Sequence, residues 1–298
     1  MKKEDLHKIY NNDYATAYND RFLLNPFSKL STDFEMSVLK KLINKDSHWL
    51  DIGCGTGYFL SQFPGTQRAG FDISPAMLEQ ARKESPDALF FREGDFRNEM
   101  EEWNAAWSLV TTMWTPYGYV ESMKEVEKVV SNMINWTKPG GSIFIPVMDI
   151  EDFRPNTIIP YEERAEEFGG TLLLTGYTWT WIENGSNNFH ENMVAPHAEH
   201  FVRLLAPWFE KVEVLRYPPY MPGWVSRKAI LATGRRALAD SQHAEIIRHS
   251  IPPPLNGAAN QQFTSITSSL SNRQVISEFA VRMRSGRFLK AFINRIFR

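Results

Sequence analysis

Apolar and polar positions alternate between two periods along the first half of the chain. Short apolar runs at His48–Ile52, Arg68–Ile73, Ala88–Arg92, Ala105–Met113 and Ser142–Met148 read as buried strands. Between them the spacing widens to the helical period. Phe34, Val38, Leu39 and Leu42 share one helical face behind Ser31 and Thr32, and Met123, Val126, Val130, Met133 and Ile134 share another over Glu121–Thr137. Ser74-Pro75 opens a further helix, with serine as N-cap and proline at its first position. Lys138-Pro139-Gly140-Gly141 breaks the longest helix before the fifth strand. Strands alternating with helices in this way predict an α/β fold with a doubly wound, mostly parallel sheet.

The rhythm changes after the fifth strand. Thr171–Ile182 and Phe189–Val194 flank a polar stretch containing Asn-Gly, which predicts a β-hairpin insertion. A helix is expected over Pro196–Leu205. Strands at Lys211–Tyr217 and Ala229–Thr233 complete seven. The sheet domain is therefore expected over 1–235. Residues 236–272 are polar and rich in proline and serine, and read as a linker with a short helix near Ala239–Arg248. Residues 273–298 predict a basic amphipathic helix: Phe288, Leu289, Phe292, Ile293, Ile296 and Phe297 form its apolar stripe.

Charge sharpens this division. The net charge of the 298 residues is −2, but 273–298 alone carry +6 and the first 235 residues about −8. A basic helix beyond a linker suits an anionic membrane surface, a protein partner, or its own domain. The acidic body argues against nucleic acid. The single cysteine, Cys54, allows no internal disulfide, which fits a reduced cytoplasmic setting. The polar N-terminus lacks a signal-peptide run, and no stretch has the ~20 apolar residues of a spanning helix.

The chemistry concentrates at Asp51-Ile52-Gly53-Cys54-Gly55-Thr56-Gly57. A strand running into such a loop lets a ligand approach the backbone, because glycine has no Cβ. Tyr58 stands where the dinucleotide fingerprint G-x-G-x-x-G needs its last glycine, and no Lys-Ser/Thr pair follows as a P-loop requires. A plain structural turn is the alternative. Asp72 ends the second strand, where an acid at the carboxyl edge of the sheet can accept from ribose hydroxyls. Asp95 ends the third, with Phe96 beside it, positions suited to an adenine amino group and ring. A helix-capping or surface-turn aspartate is the other reading of each.

In order and spacing, the glycine loop, Asp72, Gly94-Asp95 and the Lys138–Gly141 turn resemble the motifs of class I S-adenosylmethionine-dependent methyltransferases over roughly residues 10–235. The resemblance implies a Rossmann-like fold and S-adenosylmethionine as cofactor, bound by Asp51, Gly53, Gly55, Gly57, Asp72, Ile73, Asp95, Phe96 and Met113. Phe71–Leu78, Met113–Tyr119 and Asp13–Asn19 resemble more narrowly the small-molecule and sugar branch. That branch implies an acceptor beside Tyr14 or Tyr18 and beside Tyr119.

Methyl transfer from a sulfonium is mainly a problem of alignment, since the leaving group departs neutral. A hydroxyl acceptor also needs a base, an amine only its lone pair. Candidate bases are His190 and Glu191 on the returning hairpin strand, with His197, His200 and Asp149; His190 is the expected catalytic one. One acid among loosely spaced histidines is a weak ligand set, so no metal is expected. Tyr177, Trp179 and Trp181 alternate with threonines and either stack on a sugar, pack on the sheet or meet a second copy. Taken together, the expected function is methylation of a small molecule or glycan, with a lipid-linked saccharide at the inner membrane face suggested by the basic helix. An N-methyltransferase of nucleotide-linked amino sugars or other natural products is the alternative, and a cofactor-binding scaffold the non-enzymatic one.

Overall fold

The computed structural model describes residues 3–149, 162–165, 170–173, 176–182, 188–219, 226–240 and 244–254. By its contacts the chain divides into two units, Met1–Pro219 with Gly223–Pro253, and Tyr220–Pro222 with Pro254–Arg298. All of the second except Pro254 lies outside the described residues, as does the helix expected over 273–298.

Helices α1 (Lys3–Ile9), α2 (Asn12–Tyr18) and α3 (Pro26–Leu42) precede the sheet, with a π-turn at Asn19–Leu23 between the last two. The chain then alternates through β1 (His48–Ile52), α4 (Tyr58–Ser61), β2 (Gln67–Asp72), α5 (Pro75–Glu84), β3 (Phe90–Glu93), β4 (Trp107–Thr111), α6 (Met123–Trp136) and β5 (Thr137–Val147). Short strands β6 (Glu162–Ala165) and β7 (Gly170–Leu173) pair with each other. The hairpin β8 (Gly176–Ile182) and β9 (Phe189–Pro196) forms a separate two-stranded sheet. Helix α7 (Ala198–Leu205) and strands β10 (Phe209–Arg216), β11 (Lys228–Arg235) and β12 (Glu245–Arg248) complete the order.

The main sheet runs β12-β10-β11-β5-β4-β1-β2-β3, with β11 antiparallel to both its neighbours. The expected seven strands are all present, and the eighth is a correction. Residues 245–248 form not a helix but a strand, parallel to β10. Ordinary side-chain bonds hold this short edge: Arg248 grips Glu199 through two N–H groups at 2.8 and 2.7 Å, and the His249 ring meets Glu213 at 2.9 Å. The sheet domain therefore extends past 235 into the segment expected to be linker.

The α/β core forms because each helix buries the face its sequence marks. Val126, Val130, Met133 and Ile134 of α6 pack on Ile143 and Ile145 of β5, and Leu50, Ile52 and Phe71 continue the same cluster. Full burial of each such side chain contributes about 1.5–3 kcal/mol. Ser74 caps α5 by accepting from the Met77 N–H, and Ser122 caps α6 by accepting from that of Glu125. β1, β2 and β4 thereby end along one carboxyl edge, the edge where ligands sit in such sheets. No helix among the described residues is long and apolar enough to cross a membrane.

Candidate active site

A cavity of about 400 Å³ opens at that edge. Its size falls in the range of small-molecule sites, roughly 300–1,000 Å³. One wall is the glycine loop with the ends of β2 and β3. The other is aromatic, from the N-terminal helices and the β8–β9 hairpin.

On the first wall, the three glycines have separate tasks. Gly53 has φ of +65°, and a Cβ there would meet Pro116 Cγ at 2.3 Å, so the loop packs against the segment after β4 only without a side chain. Gly55 faces open space, its nearest neighbour being Met77 Cε at 4.0 Å, and it lines the cavity. Gly57 does not line it; it lets the loop press on Ala81 of α5. A ligand can thus lie against the backbone at Gly55, the fit that a bound nucleoside needs.

Asp72 lines the cavity and is 9% exposed. Its two oxygens accept the backbone N–H groups of Gly55 and Ser74, both at 2.8 Å. Burial raises its pKa, while those bonds oppose the rise. Ile73, Phe96 and Met113 also line the cavity. Asp95 does too, but Arg97, which the sequence reading missed, clasps both of its oxygens with Nε at 2.9 and 3.0 Å and Nη2 at 2.6 Å. Arg97 reaches Glu125 as well, at 3.0 Å. Asp95 therefore presents half of an ion pair, and its spacing of two residues from Arg97 was the available signal.

Asp51 stands apart from the other residues of this set. It is 1% exposed and lies behind the loop, away from the cavity lining. Its register partner is Thr111 of β4, whose hydroxyl donates to Oδ1 at 2.6 Å, and the Trp49 indole N–H donates to the same hydroxyl at 2.8 Å. Asp51 ties β1 to β4 beneath the loop. Desolvation lifts its pKa to about 7.

The second wall gathers Tyr10, Tyr14, Tyr18, Phe22, Tyr119 and Trp181. Tyr10 stands edge-on to Tyr14 at 5.2 Å and to Tyr119 at 5.9 Å, and Phe22 meets Trp181 edge-on at 5.7 Å. Trp179 also lines the cavity, so at least these two hairpin aromatics face a ligand space. His190 is fully buried and does not line it. Its ring stacks on Trp181 at 4.4 Å, and its Nδ1 lies 2.9 Å from the Tyr119 hydroxyl.

The remaining candidate bases serve the fold. Asp149 accepts from the buried Lys228 ammonium at 3.1 Å and from the N–H of Ala198 at 3.0 Å. His197 accepts the N–H of Glu199 at the start of α7, and His200 bonds Glu127 at 3.1 Å. Glu191 is exposed.

Residues 50–141 match the family described as a methyltransferase domain. This stretch holds the glycine loop, the end of β1, all of β2 and β4, and the strand-end acid Asp72. Among curated relatives, the chain is 29% identical over 144 residues to a dTDP-3-amino-3,4,6-trideoxy-alpha-D-glucopyranose N,N-dimethyltransferase of Streptomyces venezuelae, covering 46% of this chain and 58% of that one. It is 26% identical over 178 residues to a demethylmenaquinone methyltransferase of Chlorobaculum parvum, covering 55% and 66%. The chain thus spans less than two thirds of the length of either relative. A solved structure of SAM-bound CalS10, an amino pentose methyltransferase from Micromonospora echinaspora, aligns with 74% of this chain and 96% of its own, at 20% identity and a TM-score of 0.46.

Proposed function

We propose that this protein transfers a methyl group from S-adenosylmethionine to a small-molecule acceptor. The observation that carries the reading is the two-sided cavity: an open-faced Gly55 beside Asp72 on one wall, and a ring of aromatic side chains on the other. The matched methyltransferase domain and the relatives' names support it. The cofactor supplies an electrophilic sulfonium methyl. Asp72 would accept from its ribose hydroxyls with the lone pairs that Gly55 and Ser74 leave, and Ile73, Phe96 and Met113 would enclose its apolar surface. The aromatic wall excludes water and aligns the acceptor, which is most of what an in-line displacement requires.

For the acceptor, the finer reading is a sugar or glycan. Aromatic faces such as Trp179 and Trp181 suit the apolar face of a sugar ring, and a lipid-linked saccharide at an anionic membrane surface would give the basic 273–298 segment a task. An amine acceptor is the second reading. The Tyr/Phe/Trp cage favours a cation, and the Streptomyces venezuelae relative is named for an amino sugar.

Incubation with labelled S-adenosylmethionine and cell extract, divided into lipid-linked and soluble fractions, tests the proposal. Label in the lipid-linked fraction supports the glycan reading, and label in soluble amines the second. No transfer of label overturns the function itself. The membrane assignment fails when the full chain and a 1–272 truncation partition equally onto anionic liposomes.

A further inference from the structure

Three side chains far apart in sequence form one hydrogen-bonded line. The Tyr10 and Tyr119 hydroxyls are 2.6 Å apart, and the Tyr119 hydroxyl is 2.9 Å from His190 Nδ1. Tyr10 and Tyr119 line the cavity; His190 has no exposed surface. The line therefore begins at the acceptor wall and ends inside the protein.

We propose that Tyr10, Tyr119 and His190 form a relay that removes the acceptor's proton during methyl transfer, with Tyr10 meeting the acceptor and His190 receiving the charge through Tyr119. The inference rests on the proposed methyltransferase function.

The relay uses the tautomer of neutral His190 that carries its hydrogen on Nε2; Nδ1 then accepts, and the single hydrogen of Tyr119 points to His190. The Tyr119 oxygen then accepts from Tyr10, and the lone pairs of Tyr10 are left to accept from a hydroxyl or amine group in the cavity. In the reaction, the acceptor oxygen or nitrogen forms a bond to the methyl carbon. The carbon–sulfur bond breaks, and its electron pair stays on the sulfur, which becomes a neutral thioether. The acceptor's proton passes to the Tyr10 oxygen, the Tyr10 proton to Tyr119, and the Tyr119 proton to Nδ1. Both tyrosines end neutral and His190 ends as an imidazolium. After product leaves, the proton returns to solvent by the same path.

The surroundings suit this task. Burial, with the neighbouring tyrosines, pushes the Tyr10 hydroxyl well above its ordinary range, so it passes a proton on rather than ionising. The Trp181 ring stacked on His190 offers its π-face to the imidazolium. Direct proton abstraction by His190 is excluded by its position behind Tyr119, outside the cavity lining.

The test compares wild type with Tyr10→Phe, Tyr119→Phe and His190→Gln, using labelled S-adenosylmethionine and the small-molecule fraction of cell extract. S-adenosylhomocysteine affinity and circular dichroism check the site and fold. Each variant is expected to bind S-adenosylhomocysteine as wild type does and to lose about 10²-fold in kcat, the low end of a general base's contribution. The solvent deuterium isotope effect on kcat is expected to vanish in each. In ¹⁵N-histidine spectra, Tyr10→Phe is expected to shift the His190 Nδ1 resonance, although it does not touch that ring. Wild-type transfer with unchanged kcat and isotope effect in the variants overturns the relay alone. S-adenosylhomocysteine binding without any wild-type transfer overturns the function and the relay with it. A variant that fails to bind S-adenosylhomocysteine assigns the line a purely structural role and also overturns the relay.

Discussion

Asp72 Oδ2 accepts the backbone N–H of Gly55 at 2.8 Å, so the acid at the end of β2 fixes the middle of the glycine loop across seventeen residues. The same carboxylate holds the N-cap of the next helix through the Ser74 N–H. Loop shape and the proposed cofactor contact are therefore coupled in one side chain.

Asp72→Asn tests that coupling. The amide keeps one acceptor oxygen but gives up the charge and turns an N–H₂ toward one of two backbone donors. Loss of a charge-assisted bond costs about 1.5–3 kcal/mol. S-adenosylhomocysteine affinity should fall about 10- to 100-fold, as read by titration calorimetry. An unchanged affinity would remove Asp72 from the cofactor site.

Gly53→Ala and Gly65→Ala form a matched pair. Both glycines have positive φ, +65° and +77°, so both pay the left-handed penalty of about 1–2 kcal/mol. Only at Gly53 does the new Cβ collide, with Pro116 Cγ and Cβ at 2.3 and 2.5 Å; at Gly65 nothing lies within 4 Å. Gly65→Ala should lower Tm modestly and leave S-adenosylhomocysteine binding intact. Gly53→Ala should lower Tm further and abolish binding, because Pro116 lines the same cavity. Equal effects in the two variants would show that conformation, not packing, sets the requirement.

These positions were legible in the sequence because they carry local signals. A buried apolar run ending at Asp51 and three alternating glycines define the loop, and apolar periods define the helices around it. The strand β12 was not legible: Glu245-Ile246-Ile247-Arg248 is too short to show alternation, and its partners Glu199 and Glu213 are remote. The role of Asp51 was not legible, because its strand position is the same whether it faces a ligand or a neighbour. Only the pairing of β1 with β4 sets it against Thr111. Tyr10 was missed as the partner of Tyr119 because 109 residues separate them and only the fold brings their hydroxyls together.

The N-terminal helices supply much of the aromatic wall, and polar contacts fasten them to the start of α5. His7 Nε2 lies 2.8 Å from the Ile73 carbonyl, and the Ser74 hydroxyl donates to the Tyr10 carbonyl at 2.8 Å. Removing the first, in His7→Ala, costs about 1 kcal/mol for one hydrogen bond, or about a five-fold rise in local opening. Limited proteolysis should cleave within residues 3–18 correspondingly faster, with Tm almost unchanged. Cleavage at the wild-type rate would show that the His7 bond does not help to hold this segment.

Glu35 and Asp51 make stability depend on pH. Glu35 is 1% exposed, its Oε1 accepts from the Tyr217 hydroxyl at 2.8 Å, and its Oε2 is buried without a hydrogen-bond partner. Desolvation is the largest cause that lifts Glu35 to about 7 from 4.5, and Asp51 to about 7 from 3.8. Below pH ~4 both groups are protonated in the folded and unfolded chain, so neither changes stability. Between ~4 and 7 the folded chain keeps protons that the unfolded chain has released, so stability falls as pH rises; above 7 the loss is complete. The cost at pH 8 is on the order of a few kcal/mol for each group. Glu35→Gln removes one titration, so the decline in Tm between pH 4.5 and 7.5 should become shallower, whatever the variant's Tm at any single pH. A decline as steep as that of wild type would mean that Glu35 is ionised in the folded protein across this range, with the positive charge of Arg227 offsetting its burial.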